Sequence, residues 1–125
     1  VISIFQRKAA MKSPITTHVL DIAQGRPASG MEVKLSRRDE DGAWQELASG
    51  RTNEDGRLMN LLSDDFQLAA GVYQMTFDTG AYFRRQAAQN FYPFVTITFE
   101  ITHPEQHYHV PLLLSPFGYS TYRGS

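Results

Sequence analysis

VTITFEI, residues 95–101, puts Val95, Ile97, Phe99 and Ile101 on one side of an extended chain and Thr96, Thr98 and Glu100 on the other. Side chains alternate across a strand with period two, so the stretch is a half-buried β-strand. The same reading extends outward from it. Upstream, Met31, Val33 and Leu35 alternate with Glu32, Lys34 and Ser36. Asp39 to Gly42 then makes a turn, its Asp41-Gly42 pair being of the kind that closes hairpins, and Trp44 to Arg51 supplies the returning strand. A second turn, Asn53-Glu54-Asp55-Gly56, launches a short strand from Arg57 to about Leu61. Tyr73, Met75 and Phe77 share one face of a strand over Val72 to Thr79. Ala81 to Gln89 is rich in helix formers and lacks alternation, which predicts one short helix stopping in the Asn90 to Pro93 region.

At the two ends of this pattern lie ITTHVLD, residues 15–21, and HYHVPLLLSPFGYSTYRGS, residues 107–125. The second reads as a strand, a turn and a short polar strand. Seven or eight short strands separated by turns define an all-β sandwich. Several of these strands carry polar or aromatic residues on both sides, more than a lone sandwich needs on its wet faces.

Composition narrows the functional classes. A chain of 125 residues forms one domain by length and buries roughly two-thirds of its unfolded surface. Its formal net charge of −1 gives no basic footprint for nucleic acid or an anionic membrane. Cysteine is absent, which excludes disulfides, thiolate nucleophiles and cysteine zinc sites. Apolar runs fall far short of the ~20 residues that span a bilayer. The leading stretch, VISIFQRKAAMKSP, places its apolar part before its basic part, the reverse of a secretory signal. From this a cytoplasmic location is expected, with the periplasm left open. Residues 1–14 are expected to be a poorly ordered extension, with Met11 a candidate natural start, and residues 15–125 the single domain.

The residues able to do chemistry are few. Thr16, His18 and Leu20 share one face of their strand, opposite Ile15, Thr17, Val19 and Asp21. A histidine on a sheet face needs company before it has a function. His107 and His109 share a face of theirs, and His103 upstream could complete a metal site, but the His103-x3-His107-x-His109 spacing is loose and Pro104 interrupts it. No metal and no cofactor are therefore expected. Arg57, at the head of a short strand, offers a permanently charged fork for an anionic or enolate-like oxygen. Ser120 and Tyr122 point one way near the terminus, Thr121 and Arg123 the other. No nucleophile elbow, phosphate loop or metalloprotease motif occurs. Histidine-activated water is the simplest chemistry these residues offer.

ITTHVLDIAQGRPA (residues 15–28), NEDGR (53–57), GVYQMTFDTGAYF (71–83) and the tail HYHVPLLLSPFGYSTYRGS together resemble the transthyretin-related family. The ending YRGS resembles its hydrolase branch and not its hormone carriers. The resemblance implies a transthyretin-like sandwich of two four-stranded antiparallel sheets with one short helix. It also implies a homotetramer whose dimers face each other across a central channel. The implied activity is hydrolysis of 5-hydroxyisourate, a small-molecule substrate from urate degradation, to 2-oxo-4-hydroxy-4-carboxy-5-ureidoimidazoline. Carried over residue by residue, the catalytic positions are His18, Arg57, His109 and Tyr122, with Ser120 and Ser125 joining His18, Arg57 and Tyr122 in binding substrate. A carrier of aromatic ligands in the same channel is the rival reading.

Overall fold

The computed structural model describes residues 13–125. The expectation of an extension applies mostly to residues 1–12, which lie outside the described residues. Ser13 and Pro14, counted above with that extension, belong to the fold. Ser13 is buried, its amide donates to the Met59 carbonyl, and its hydroxyl accepts from the Ile15 and Leu62 amides. Pro14 accepts from the Tyr108 amide.

The strands are β1 (Ile15–Asp21), β2 (Arg26–Pro27), β3 (Glu32–Arg38), β4 (Trp44–Arg51), β5 (Arg57–Leu58), β6 (Gly71–Phe77), β7 (Val95–Ile101), β8 (Tyr108–Ser115) and β9 (Gly118–Thr121). One helix, α1 (Thr79–Arg84), lies between β6 and β7. They form two sheets. One is ordered β2-β1-β8-β9 with β5 also on β1, and the other β4-β3-β6-β7.

Among the described residues the expectation of two sheets and one short helix stands, with two corrections of detail. The first sheet has five strands, because β1 takes both two-residue strands β2 and β5 along its outer edge. The β1–β8 ladder is parallel over its whole length, from Ile15 opposite Tyr108 to Asp21 opposite Leu114. Alternation says which residues face inward but nothing about the relative direction of strands so far apart in sequence, so this could not be read from the chain.

The core lies between the two inner faces. Ile15, Val19, Leu112 and Leu114 from one sheet meet Val33, Leu35, Tyr73, Met75 and Phe77 from the other, all at most 1% exposed. Burying each such side chain contributes roughly 1.5–3 kcal/mol before chain entropy is charged against it. Polar residues on the inner faces are hydrogen-bonded, as burial demands. The Thr17 hydroxyl donates to the Val110 carbonyl at 2.6 Å. The buried Asp21 carboxylate accepts the Tyr82 hydroxyl at 2.8 Å and the amides of Ala23 and Gln24. Burial and this carboxylate raise the Tyr82 pKa, which keeps the phenol a donor and ties β1 to the helix.

The helix starts earlier and stops earlier than Ala81 to Gln89. Asp78 caps it, its side chain accepting from the Ala81 amide. Ala87 adopts a left-handed conformation with φ 53°, and the amides of Ala87 and Ala88 fold back to the carbonyls of Arg84 and Phe83. That pair of bonds is a Schellman closure, normally marked by glycine. With alanine in that position the stop signal was not legible.

The strand expected over Arg57 to Leu61 is only Arg57–Leu58. Beyond it the chain leaves β1 so that Leu61 and Leu62 can bury against the core. The turn before it is held from both sides. The Asn53 side chain accepts from the amides of Asp55 and Arg57, and the Gly56 carbonyl accepts from Val19. Gly56 has φ +74°, and a Cβ there would lie 2.4 Å from the Val19 carbonyl oxygen. Gly56→Ala is expected to cost more than the ~1–3 kcal/mol of left-handed strain alone. Gly25→Ala, at φ +67° with nothing within 4 Å of its Cβ, should cost only about 1–2 kcal/mol. Urea unfolding of the two variants checks this, and equal losses would mean that the turn is not pinned to β1.

Candidate functional site

The outer face of the β1 sheet gathers most of the residues singled out in the sequence. β1 turns Ile15, Thr17, Val19 and Asp21 into the core, all 0% exposed, which leaves Thr16, His18 and Leu20 on the opposite face. Register then decides their neighbours. His18 is the cross-strand partner of Arg57 on β5, and Thr16 is the partner of His109 on β8. His109 therefore sits one strand over and two residues back from His18, on the order of 8 Å away by strand spacing and rise.

On the far side of β8, Leu113 pairs with Ser120 and His109 bridges to Gly124. Continuing that register places Tyr122 opposite Pro111, itself the β1-side partner of His18. Arg57, His18, His109, Ser120 and Tyr122 thus share one sheet face. Arg57 and Ser120 are exposed, Tyr122 is 58% exposed, and His18 and His109 are half-buried. Ser125 follows directly on the residue bridged to His109 and is exposed.

The environment of His18 determines its protonation. Its Nε2 lies 2.9 Å from the Asp55 carbonyl oxygen, which can only accept, so Nε2 carries the hydrogen and the lone pair of the neutral ring is on Nδ1. Burial, and then the positive charge of Arg57, hold the imidazole below its ordinary 6.5, outweighing the Asp55 interactions that favour protonation. The result is a neutral imidazole with a defined basic nitrogen beside a fixed cation.

His109 is held differently. Its Nδ1 lies 2.8 Å from the hydroxyl of Thr16, which is fully buried. The backbone of Gly124 packs on its ring: the Gly124 amide donates to the His109 carbonyl at 2.8 Å, and a Cβ at Gly124 would fall 2.6 Å from the ring's Cδ2. Glycine in the penultimate position is required there for close approach. His109 and Tyr122 also line a cleft of about 290 Å3 between the C-terminal segment and the edge strand β7, which includes neither His18 nor Arg57.

The third histidine weighed for a metal is elsewhere. His103 is a surface residue 3.8 Å from the Glu105 carboxylate. Among the described residues, no group of three or more His, Cys, Asp or Glu side chains is arranged to hold a metal ion. No helix among them is long and apolar enough to cross a membrane.

Three residues of this site escaped the sequence reading. Asp55 acts through its carbonyl and Gly124 through its lack of a side chain, neither of which has a sequence signal. Thr16 was placed on the His18 face, but its partner lies 93 positions away, so the contact had no local signal.

Comparison with known proteins places the chain in a family. A family model described as "HIUase/Transthyretin family" matches residues 15–124. A mouse protein named 5-hydroxyisourate hydrolase is 48% identical over 118 residues, covering 94% of this chain and 99% of the mouse protein. One of the same name from Salmonella dublin is 43% identical over 117 residues, covering 94% and 85%. Among solved structures, sea bream transthyretin in complex with thyroxine superposes with TM-score 0.84 at 38% identity, covering 90% of this chain and 95% of that one. Klebsiella pneumoniae 5-hydroxyisourate hydrolase superposes with TM-score 0.77 at 40% identity, covering 89% and 98%. The same architecture serves an enzyme and a thyroxine-bound protein, so the fold alone does not choose between them. With a matched segment spanning both ends of the site face, the chain belongs to the HIUase/Transthyretin family.

Proposed function

We propose that this hydrolase opens the cyclic amide of 5-hydroxyisourate, giving 2-oxo-4-hydroxy-4-carboxy-5-ureidoimidazoline. The observation that carries the reading is the His18–Arg57 cross-strand pair on the face that also bears His109. Hydrolysis of an amide needs a deprotonated water, stabilisation of the oxyanion that forms, and a proton for the departing nitrogen. His18, neutral with its lone pair on Nδ1, takes the proton from water. Arg57 binds the substrate and stabilises the tetrahedral oxyanion with a charge already in place. His109 supplies the proton to the leaving nitrogen. Tyr122, Ser120 and the terminal Ser125 hold the ring at the open side of the face. The relatives of this name, at 48% and 43% identity, support the substrate.

An exposed catalytic face suits an assembly. Two sandwiches facing each other would enclose it in a channel and exclude bulk water, so the active form proposed is a homotetramer. Gel filtration should give a mass near four chains, and a monomer that hydrolyses the substrate at full rate would rule out the channel. The second reading, a carrier of aromatic ligands, has one observation in its favour, the 0.84 superposition on thyroxine-bound sea bream transthyretin. A carrier has no use for a neutral histidine beside an arginine.

The test is to generate 5-hydroxyisourate freshly from urate and follow its ultraviolet decay with and without protein, comparing rates because the compound also decays unaided. Acceleration is expected. His18→Ala and His109→Ala should each lower the rate by about 10²–10⁴-fold with the assembly intact. Near-normal turnover in either would remove that residue from the mechanism.

The pH profile follows from the state of His18. Its basic form is the active one and its pKa is held below 6.5, so the midpoint of the acid limb of kcat/KM should lie below 6.5. Arg57→Ala removes one of the two causes of that depression, so the acid limb should move to higher pH as the rate falls. An acid-limb midpoint above 6.5 in the unaltered protein would exclude His18 as the base.

A further inference from the structure

The Thr16 hydroxyl touches two imidazoles. It lies 2.8 Å from Nδ1 of His109 and 3.1 Å from Nε2 of His107, with the two rings nearly parallel at 18° and their centroids 6.5 Å apart. Thr16 is 0% exposed and His107 is exposed. A hydroxyl has one hydrogen to donate and can accept another. To bond both rings it must donate to one nitrogen and accept an N–H from the other. One of these two nitrogens then carries a hydrogen and the other a lone pair.

We propose that His107 and Thr16 form a proton wire that keeps His109 neutral as it donates, with both acting as positioning residues. The inference deepens the role of His109 as proton donor and rests on that reading. Nδ1 of His109 is engaged with Thr16, so chemistry at this ring runs through Nε2. A proton donor needs its hydrogen on Nε2, hence a lone pair on Nδ1, hence the Thr16 hydroxyl donating to Nδ1. The Thr16 oxygen then accepts Nε2–H of His107.

The step balances. As Nε2–H of His109 passes to the leaving nitrogen, the Thr16 hydrogen moves to Nδ1 of His109. The Nε2 hydrogen of His107 moves to the Thr16 oxygen, and a proton from water enters at Nδ1 of His107. One solvent proton is taken up at His107 for the one delivered, while His18 holds the proton it took from water. Each ring keeps one hydrogen but changes tautomer; between turnovers the proton held by His18 passes through water to Nε2 of His109, the shift runs backward, and one proton leaves at Nδ1 of His107. A buried hydroxyl bridging a half-buried imidazole to an exposed one lets protons move while bulk water stays out of the substrate face.

The test reads tautomers first. Nitrogen-15 NMR of the substrate-free protein, at a pH where both rings are neutral, should find Nε2 of His107 protonated and Nδ1 of His109 bare. Finding both nitrogens protonated, or both bare, overturns the proposal. Thr16→Val should lower the hydrolysis rate on the order of 10²-fold, and Thr16→Ser should restore both the rate and the tautomer pair. Because Thr16 is buried, His107→Phe at the exposed end provides a second variant. It should keep the unfolding midpoint and lose a similar factor in rate, and an unchanged rate in either Thr16→Val or His107→Phe overturns the wire. The tautomers need no substrate to be seen. An inactive protein with the expected pair would therefore retain the wire and sink the substrate assignment alone.

Discussion

The parallel pairing of β1 with β8 is the constraint on which both core and site depend. Seven register pairs, from Ile15–Tyr108 to Asp21–Leu114, join the first strand of the fold to the last long one. A shift of one residue would turn every side chain of β1 over, bringing His18 into the core and Val19 out of it. The buried set of Ile15, Thr17, Val19 and Asp21 makes that shift costly. Hydrophobic burial on one face of β1 thereby holds the histidine on the other, and the site inherits its accuracy from the core.

Around this ladder, the accessory contacts act on backbone groups more than on side chains. The two-residue strand β5 exists because Gly56 can approach the Val19 carbonyl, and it brings both Arg57 and the Asp55 carbonyl to His18. The tail is fastened the same way: Gly124 hydrogen-bonds the His109 backbone and lies against its ring. Arg57 and the chain terminus reach the site through glycines that contribute no chemistry. His18 and His109 each have one nitrogen committed to a protein oxygen, a carbonyl for His18 and a hydroxyl for His109, which gives the two rings different surroundings.

Much of the architecture was legible because burial is local in its signature. Strands β3, β6 and β7 follow the alternation read from Met31 to Ile101 closely, β4 returns where the chain after the turn was expected to, and the Asp41-Gly42 hairpin forms as its residues demand. The failures share a cause too. The helix stop at Ala87, the docking of Ser13 and Pro14, and the brevity of β5 each depend on a partner distant in sequence or on a backbone state that alanine rarely adopts.

The chain by itself determined which residues could be buried, which turns would close, and that His18, Arg57, His109 and Tyr122 were available for chemistry. It did so because alternation, turn residues and side-chain acidity are properties of short segments. Only the tertiary structure decided that these residues share one face, that His18 carries its lone pair on Nδ1, and that Thr16 joins His107 to His109. Those outcomes depend on the direction and register of strands brought together across the whole chain. Direction and register follow from the collective packing of two sheets, which no single segment encodes.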